Sequence, residues 1–503
     1  MQEIMVLDKY YRPLNRDISK FTRQFFLSKN PDFIPDGWKR YAKGQWCLGV
    51  SELPVLDVVN ASGINIGWCI GYPIHFKKSL KSKIVINCED DEIINMSSIE
   101  EFYHDTGGRF VLVLLMKKEA KLFLDPAGSL SAVFSMSETT VASTPTLMGE
   151  KYDWDEEIIR VLNMPESGFW FPSGLTPKKG IRRILPNHYL DLDAWRVVRH
   201  WPRSSSDLDI EDDIDKNVSI ITSCLKKTIG IVAERFPIQM TLTAGRDSRM
   251  VLACARDFMS EIRFFTQSGN QETIDTHIAE KLAKRLGLKH SFIPIQTATD
   301  DEMLRWLYLT GHAIGGEIMK IHKTVENYDH KSVVVNGIFG EVGRAFYYKK
   351  TDSIDMKITA AEIHERRQIP HHNRILSETE KWLSGLSGYN LFQILDLFFL
   401  EQGEGCGESP KFYTNTTSLF GISPFNHRRI FKSMLKLPYD YRLDLQLPND
   451  ICLKQWPELL DLPFNEYTGS KKFLSKTRKS GLKYAKRFTK KIAKQLFPGR
   501  VKL

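Results

Sequence analysis

Short apolar runs follow one another through the first 200 residues, separated by Gly, Pro or charged positions. The clearest are RFVLVLLM (109–116), KLFLD (121–125), AVFSM (132–136) and TTVAST (139–144). Apolar runs of this length between turn residues are typical of β-strands. The pattern therefore predicts meandering antiparallel sheet over residues 1–200.

The pattern changes near residue 216, where longer helical segments begin to alternate with apolar strands. It predicts strands at 237–243, 261–267, 290–295 and 332–337, and helices at 216–234, from Ser248, and at 274–286. Residues 356–470 are predicted to be mainly helical. Strands that alternate with helices favour a parallel sheet covered by helices on both faces. A second, α/β domain is therefore expected over 205–470.

The positive charge of the chain is concentrated at its C-terminal end. The net charge is +9, yet residues 471–503 contain 13 Lys or Arg and no acid, which leaves −4 for the rest. Apolar residues spaced among these lysines indicate a basic amphipathic helix that lies on an anionic membrane surface. A solvated tail is the alternative. No motif for reading RNA or DNA accompanies the charge, so no nucleic-acid partner is expected.

The cysteines and the first residues indicate the compartment. Seven cysteines are scattered without a C-x-x-C pair, so we expect reduced, buried thiols rather than disulfides or a zinc site. No apolar run reaches the roughly 18–20 residues of a membrane span, and the N-terminus lacks the apolar segment of a secretory signal. The expected location is the cytoplasm, peripheral at the inner face of the membrane where the tail binds lipid.

The segment TLTAGRDSR (241–249) is the strongest candidate for chemistry, because ligands of parallel sheets bind beyond the carboxyl ends of the strands. It lies where a predicted strand passes into a predicted helix. Small side chains at Ala244 and Gly245 let backbone N–H groups approach an anion, and a helix N-terminus favours a phosphate. Taken alone, the segment is equally compatible with a tight turn in which Asp247 and Ser248 cap the helix.

Three side chains of this segment suit a nucleotide. Ser248 adds a hydroxyl donor, Arg249 carries a fixed positive charge, and Asp247 is a hard oxygen ligand for Mg²⁺. The G-K-[ST] sequence of a Walker loop is absent from the segment, so it is not a nucleotide loop of that type.

The surrounding sequence PIQMTLTAGRDSRMVLA (237–253) resembles the pyrophosphate loop of the asparagine-synthetase family, S-G-G-x-D-S. Thr243 stands for the Ser and Ala244 for the first Gly, while Gly245, Asp247 and Ser248 match. The resemblance implies ATP as a cofactor and a catalytic role for Asp247 and Arg249. The ATP-binding residues that it implies here are Thr241, Leu242, Thr243, Ala244, Gly245, Arg246, Asp247 and Ser248.

A second segment extends the resemblance. FFTQSGNQETIDTHIAEKLAKRLGLKHSFIPI (264–295) is similar to the family unit that contacts adenine at a strand end. This similarity implies adenine contacts from Phe265, Thr266 and Gln267. Asp275 is interpreted as a helix cap and His290 as a structural residue.

A third segment, VVVNGIFGEVGRAFYY (333–348), resembles the family's second acidic loop, S-G-E-G-x-D-E. Gly337 matches the first Gly, and Glu341 falls where the family carries its Mg²⁺-binding Asp. Asp247 and Glu341 are therefore the expected metal ligands; the alternative is that Glu341 only pairs with Arg344. Ile338 replaces the family's first Glu, and an aliphatic side chain accepts neither a proton nor a hydrogen bond.

ISPFNHRRIFKSMLKLPYDYRL (422–443) is similar to the family helix that packs under the site, and the similarity continues to about residue 465. The family's pyrophosphate-binding Lys lies just beyond such a segment. Lys471 and Lys472 are the candidates here, with a solvated lysine as the equal alternative.

The N-terminal half resembles the glutaminase domain of the same family in its later part only, through segments such as LFLDPAGSLSAVFS (122–135) and TPKKGIRRILPNHYLDLD (176–193). The family nucleophile is a Cys at position 2, where this chain has Gln2. An amide side chain does not form a thioester by nucleophilic attack. The resemblance thus implies a degenerate sandwich of the Ntn-hydrolase class, without glutamine hydrolysis.

Together these patterns predict a chain of mixed α/β and α+β class. It has an Ntn-hydrolase-like β-sandwich (1–200), a parallel-sheet domain of the adenine-nucleotide α-hydrolase-like, PP-loop type (205–470) and a basic tail (471–503). The resemblance implies a ligase that activates a carboxylate as an acyl-adenylate and forms an amide, with a surface-polysaccharide uronic acid or lipid-linked glycan as substrate. The alternatives are a cyclase similar to the β-lactam or lasso-peptide synthetases, and a protein that binds ATP or a partner without turnover.

Overall fold

A computed structural model describes residues 9–11, 21–77, 83–88, 91–414, 419–468 and 471. The predicted amphipathic tail, apart from Lys471, and the candidate Lys472 lie outside these residues. Within the described ranges, none of the helices has the length and apolar character needed to cross a membrane.

The first 200 residues form two sheets whose strands pair antiparallel, except that β4 and β6 run parallel. The strand order is β11-β9-β10-β1-β3-β2 in the first sheet and β13-β12-β8-β7-β5-β4-β6 in the second. The strands are β1 (Gln24–Ser28), β2 (Lys39–Lys43), β3 (Trp46–Ser51), β4 (Val55–Val59), β5 (Asn65–His75), β6 (Lys83–Val85), β7 (Thr106–Leu115), β8 (Ala120–Leu124), β9 (Val133–Ser135), β10 (Thr140–Ala142), β11 (Ile181–Arg183), β12 (His188–Asp191) and β13 (Arg196–Arg199). The four strands predicted between 109 and 144 are thus confirmed as β7 to β10.

The two sheets pack face to face over an apolar core that includes Phe25 and Leu48 of the first sheet and Val113 of the second. Helix α1 (Met96–Asp105) covers the other face of the second sheet, and a short helix α2 (Glu156–Val161) follows later in the chain. Because both faces of β7 are covered, all ten of its residues are buried, which explains its nearly continuous apolar sequence.

All seven cysteines are free thiols, as the sequence predicts. Six of them are buried, whereas Cys47 is only half-buried, in contrast to the buried position expected for it. Cys47 lies on β3, and its strand partner is Ala42 on β2, the edge strand of the first sheet. The sheet edge therefore leaves part of this side chain uncovered.

The second half contains a five-stranded sheet in which every pair is parallel. Its elements in chain order are α3 (Ile214–Ala233), β14 (Ile238–Thr241), α4 (Arg246–Cys254), β15 (Ile262–Ser268), α5 (Ile274–Leu286), β16 (His290–Pro294), α6 (Asp300–Leu309), α7 (Glu317–Ile321) and β17 (Val333–Val335). Each predicted strand and helix between 216 and 337 is present, with ends shifted by a few residues.

With β18 (Phe420–Ile422) at its edge, this sheet has the strand order β16-β15-β14-β17-β18. From β14 the chain steps to one side through β15 and β16, and then returns to place β17 on the other side of β14. The order therefore reverses between β14 and β17, and such a reversal opens a crevice beyond the carboxyl ends of the strands.

The region after β17 is mainly helical, as predicted, but it also supplies the edge strand of the sheet. Its elements are α8 (Ala360–Arg367), α9 (Asn373–Ser384), α10 (Leu391–Phe398), a π-helix (Phe399–Glu408), β18 (Phe420–Ile422), α11 (Arg428–Leu435), α12 (Tyr439–Leu443) and α13 (Gln446–Gln455). The sequence pattern misses β18 because three residues are too few to show a strand periodicity.

The two halves are joined by a buried hydrogen-bond network around Asn426, which precedes α11. Its side-chain nitrogen donates to the Gly108 carbonyl at 2.7 Å, to Asp125 at 2.7 Å and to the Ser129 hydroxyl at 2.9 Å. Its side-chain oxygen accepts from the Ala127 backbone at 3.0 Å. The Asp125 carboxylate is fully buried and also accepts from the backbone N–H groups of Ala127, Ser129 and Leu130, so the network has little tolerance for a missing donor.

We expect Asn426→Ala to lower the free energy of unfolding by about 3 kcal/mol, because several buried hydrogen bonds are lost and Asp125 keeps its burial. Chemical denaturation followed by tryptophan fluorescence measures this. Asn270→Ala, at an exposed position, is the control and should leave stability nearly unchanged. An equal, small effect for both variants would show that the network does not hold the halves together.

Candidate functional site

The turn between β14 and α4 is held in shape by its own hydroxyl groups. The Thr243 and Ser248 hydroxyl oxygens lie 2.6 Å apart, and the Gly245 backbone N–H donates to the Thr243 hydroxyl at 3.1 Å. Gly245 is the N-cap residue of α4, in extended conformation. The first turn of α4 therefore starts directly from a rigid loop at the crevice in the sheet.

A carboxylate from the next helix fixes the same loop. Asp275, in the first turn of α5, accepts a hydrogen bond from the Ala244 N–H at 2.9 Å. The cap of α5 is Thr273, whose side chain accepts from the Thr276 N–H. The interpretation of Asp275 as a helix cap is therefore wrong: it binds the β14–α4 loop, which lies 31 positions earlier in the sequence.

The loop after β17 packs directly against the start of α4. A Cβ atom at Gly337 would lie 2.7 Å from the Ser248 nitrogen, and one at Gly340 would lie 2.8 Å from the Asp247 Cβ. Gly337 therefore needs to be glycine because the two backbones touch, and Gly340 because the Asp247 side chain fills the space of a Cβ. Between them, Phe339 has a φ of +73°, a left-handed conformation that is uncommon for a bulky residue and marks strain in this loop.

Two carboxylates and one guanidinium meet at this contact. Arg344 donates to Asp247 through one nitrogen and to Glu341 through the other, the latter at 3.2 Å. The Asp247 and Arg344 side chains are each 16% exposed. The alternative pairing of Glu341 with Arg344 is thus present, and Arg344 additionally binds Asp247, a contact that the sequence does not predict.

Burial dominates the electrostatics of both acids. It raises the pKa of Asp247, although the positive charge of Arg344 acts in the opposite direction. Burial also raises the pKa of Glu341, and the negative charge of Asp247 adds to the effect. The second oxygen of Asp247, Oδ1, is buried and has no hydrogen-bond partner among the described residues. Both acids are therefore poised to gain from an additional positive charge.

Arg249 lies elsewhere, contrary to the expected catalytic role. Its guanidinium is buried and donates to the backbone carbonyls of Leu459, Leu462 and Pro463 at 3.2, 2.6 and 3.2 Å. It also lies over the Phe464 ring, 4.4 Å from its centroid. Through these contacts the guanidinium holds residues 459–464 against α4. Its charge therefore does not face the β14–α4 loop.

Arg246 is the arginine of this segment that stays near the acids. It is half-buried, and its pKa is lowered by burial and by the nearby charge of Arg344, while Asp247 acts in the opposite direction. Thr241 is half-buried at the end of β14, and Leu242 is buried. The expected loop residues therefore come together at one place, with the exception of Arg249.

The three residues expected to contact adenine lie at the end of β15 but differ in accessibility. Phe265 is buried against Tyr328, with ring centroids 4.8 Å apart. The Thr266 hydroxyl lies 2.6 Å from the Leu242 carbonyl and 2.8 Å from His290, which supports the structural interpretation of that histidine. Gln267 is half-buried, and its amide donates to the Tyr328 hydroxyl at 2.6 Å.

Lys471 does not lie on the β14–α4 loop. Its ammonium group binds both carboxylate oxygens of Glu272, at 2.8 and 2.6 Å. Glu272 lies between β15 and α5, and the Lys471 side chain is 47% exposed. Lys471 is thus an exposed lysine like the solvated one of the alternative, but it is paired with Glu272, and Lys472 lies outside the described residues.

A further acid, Glu404, was missed entirely by sequence analysis. Glu404 lies in the π-helix and is 0% exposed. Neither of its carboxylate oxygens has a hydrogen-bond partner among the described residues. Burial and then the charges of Glu408 and Glu341 hold its pKa well above the usual value. The signal in the sequence is the run EQGEGCGE (401–408), where acids and glycines alternate inside an apolar helical region.

Comparisons with known proteins add little to this geometry. The sequence matches no family model and none of the curated proteins. Among solved structures it is similar to an NMN synthetase from Francisella tularensis, with 13% identity and a TM-score of 0.19 over 41% of this chain and 94% of that chain. It is also similar to a glutamine-dependent NAD⁺ synthetase from Acinetobacter baumannii in complex with ADP, with 12% identity and a TM-score of 0.16 over 44% and 41% of the two chains.

An NAD⁺ synthetase from Burkholderia pseudomallei gives 10% identity and a TM-score of 0.17 over 50% of this chain and 92% of that chain. TM-scores this low carry no argument about fold or activity. The resemblance to asparagine synthetases therefore rests on the motifs of the sequence, and the site rests on its own geometry.

We expect Gly337→Ala to lower the free energy of unfolding by about 1–3 kcal/mol, since its Cβ would overlap the backbone of Asp247 and Ser248. Gly269→Ala is the matched control, because a Cβ there meets only a side-chain atom at 3.8 Å. Thermal unfolding of both variants measures the difference. Equal melting temperatures would mean that the two loops do not need this close contact.

Glu404 and Glu401 are the two buried acids of the π-helix, and replacing each with Gln should change the stability of the fold in opposite directions. Glu404 takes up its proton more readily in the folded than in the unfolded chain, where the pKa is near the usual 4.5. Stability should therefore fall as pH rises above that value, and Glu404→Gln should remove this loss. At neutral pH the variant should melt higher than the wild type, whereas at acid pH the two should coincide.

Glu401 is the matched control for that experiment. It is equally buried, but its carboxylate accepts hydrogen bonds from Arg199, Trp382 and Asn187. Burial raises the pKa of Glu401, and the charge of Arg199 outweighs this effect and holds the pKa below the usual value. Glu401→Gln should destabilise the protein by about 3–5 kcal/mol at neutral pH, because Arg199 is left without its charge partner. Parallel melting curves for both variants across pH would contradict this difference.

Proposed function

We propose that this protein is an ATP-dependent ligase that activates a carboxylate as an acyl-adenylate and converts it to an amide. The observation that carries the proposal is the orphaned Oδ1 of Asp247, buried where the start of α4 meets Gly340 at the crevice between β14 and β17. A buried carboxylate oxygen without a donor is costly in isolation and suits a site completed by a ligand.

The β14–α4 loop supplies the anion side of the site. Helix α4 has nine residues and begins at Arg246, directly after its N-cap Gly245, so its first N–H groups and its positive dipole end face the crevice. The half-buried Arg246 and Arg344 add positive charge beside it. This combination suits the phosphates of ATP, while Gln267 at the end of β15 suits the adenine.

The acids fit the Mg²⁺ that such a nucleotide brings. Mg²⁺ usually takes one or two protein carboxylates and completes its shell with phosphate oxygens and water. Asp247 offers its unpartnered Oδ1, and Glu341 lies beside it on the other side of Arg344. In the described part of the chain, three or more His, Cys, Asp or Glu side chains are nowhere arranged to hold a metal ion. When bound, Mg²⁺ would neutralise charge on the phosphates and on the departing pyrophosphate.

The proposed reaction has two steps. A carboxylate oxygen of the substrate attacks the α-phosphorus of ATP, and the bond to pyrophosphate breaks. An amine or ammonia then attacks the acyl carbon, and AMP leaves with the electrons of its C–O bond. The resemblance, with Gln2 at the place of the family nucleophile, implies that the nitrogen is not released from glutamine by this domain. We propose a uronic acid of a surface polysaccharide or a lipid-linked glycan as the carboxylate, from the resemblance alone.

A second candidate function is nucleotide binding without turnover. It is favoured by Arg344, which already pairs with both acids, and by Ile338, whose aliphatic side chain lies between Gly337 and Phe339 in the same loop. The two candidates differ in whether pyrophosphate is formed, and this is directly measurable.

We expect carboxylate-dependent exchange between ATP and labelled pyrophosphate, with glucuronate, galacturonate and their oligosaccharides as probes. Asp247→Asn should lower the exchange rate by about 100-fold or more, because charge on the leaving pyrophosphate loses its stabilisation. Asp212→Asn, an exposed acid ahead of α3, should leave the rate unchanged.

Two results would overturn the ligase proposal. The first is binding of ATP without exchange for every probe, which would establish the non-catalytic function. The second is exchange that is equally fast in Asp247→Asn and in the wild type, which would move the reaction away from this loop.

A further inference from the structure

A cavity of about 500 Å³ is lined by the edge strands of both sandwich sheets and by helix α9 of the second half. Arg182 and Arg183 line it from β11, Arg196 from β13, and Lys381 from α9. The loop residues 242–245, all of which the structure describes, do not line it, so the cavity is separate from the site above. Its volume falls in the range of small-molecule sites, roughly 300–1,000 Å³.

The wall of this cavity is strongly positive. Four cationic side chains and one carboxylate line it: Arg182, Arg183, Arg196, Lys381 and Glu378. The carboxylate of Glu378 already accepts from Arg182 at 2.6 Å and from Lys381 at 3.0 Å. The lining His188 adds no charge at neutral pH, because burial lowers its pKa to about 4. The cavity therefore favours an anionic ligand.

Arg183 is the buried cation of this wall, and it lacks a partner. The residue is 6% exposed, and its side chain makes no hydrogen bond or ion pair within the described residues. Of its three nitrogens only Nη1 is fully enclosed, so Nε and Nη2 keep accessible surface. The nearby Cys406 and Tyr413 are uncharged at neutral pH, because burial raises the pKa of Tyr413 and that of Cys406 to about 11.

The other buried arginines in the described part of the chain each have a partner. Two of them donate to backbone carbonyls and two face a carboxylate: Arg109 and Arg249, and Arg428 and Arg442. The fold thus compensates buried guanidinium groups elsewhere. A buried charge without a partner is costly, and the lack of one at Arg183 is what a bound anion would supply.

Aromatic side chains form much of the remaining wall. Trp195 and Trp382 line the cavity together with Phe134. The Trp195 indole N–H donates to the Ser135 carbonyl at 2.7 Å, and that of Trp382 donates to Glu401 at 2.7 Å. Because both N–H groups are already used, the indoles offer apolar ring surface to a ligand. Apolar walls with a few charged groups suit a ring-shaped molecule that carries an anionic group.

We propose that this cavity binds a small molecule whose ring carries an oxyanion, either a phosphate or a carboxylate. Arg183 and Arg196 hold the oxyanion, since a guanidinium binds either group through two parallel N–H donors. Trp195 and Trp382 contact the ring. The assignment goes beyond the proposed ligase function and does not depend on it, because the two sites share none of these residues.

Thermal unfolding of the full chain tests the assignment with glucose 6-phosphate, glucuronate and neutral glucose as probes, at equal ionic strength set with sodium chloride. An oxyanion-bearing probe should raise the melting temperature above that in glucose, because it binds only the folded chain. A rise with glucose 6-phosphate alone identifies a phosphate ligand, a rise with glucuronate alone a carboxylate ligand, and a rise with both a general oxyanion site. Melting temperatures equal to that in glucose for both anions would overturn the proposal.

Variants locate the binding of the active probe, measured by calorimetric titration. Arg183→Met and Arg196→Gln should each weaken its affinity by about tenfold or more, because each removes charge-assisted hydrogen bonds. Arg305→Gln, at an exposed position on α6 outside the cavity, should leave the affinity unchanged. Wild-type affinity in either cavity variant, or affinity lost in Arg246→Gln of the β14–α4 loop instead, would overturn the proposal.

The protein without any probe gives an independent measurement. Arg183→Met should raise the melting temperature, since a buried charge without a partner is replaced by an apolar side chain. Arg182→Met, at the neighbouring position, is the matched control and should lower it, because Glu378 loses one of its two partners. A lower melting temperature in both variants would mean that Arg183 stabilises the fold through contacts of its own, and the site would then need no ligand.

Discussion

The burial of carboxylates in a small volume is the constraint on which the rest of this molecule depends. Asp247, Glu341 and Glu404 come from three separate segments, and burial opposes the ionisation of each one. The chain offsets part of this cost with Arg344 between the first two acids. The remaining cost is one that an added positive charge beside these acids would relieve. The arrangement therefore lowers the stability of the fold at this place, as is common where stability and function compete.

The N-terminal sandwich has a structural role that is independent of any glutaminase chemistry. Asn426 lies two residues beyond Pro424 and connects Gly108, Asp125 and Ser129 of the sandwich to the start of α11. Helix α11 in turn packs beside the loop that carries Gly340 and Glu341. The sandwich therefore supports the site from behind.

Strong local signals in the sequence predicted most of the fold and the centre of the site. The alternation of strands and helices between 216 and 337 is periodic, and the small residues of TAGRDS mark a strand-to-helix turn. Contacts between distant segments were not predictable in this way. Arg249 donates to backbone carbonyls some 210 positions away. Asp275 accepts from the Ala244 N–H and does not cap its own helix. Glu404 was missed because burial is a property of the folded chain, and a Glu among glycines reads as exposed.

The strap formed by residues 459–465 also has an evolutionary consequence. Arg249 binds three of its carbonyls, and the Asn465 N–H donates to the Ala244 carbonyl at 3.0 Å. The segment is thus held at two places, by Arg249 in α4 and by Ala244 in the β14–α4 loop. Deletion or insertion of a single residue between α13 and Asn465 would take one set of partners out of reach. This stretch looks like an ordinary surface connection, yet its length is as strictly determined as that of a strand inside a sheet.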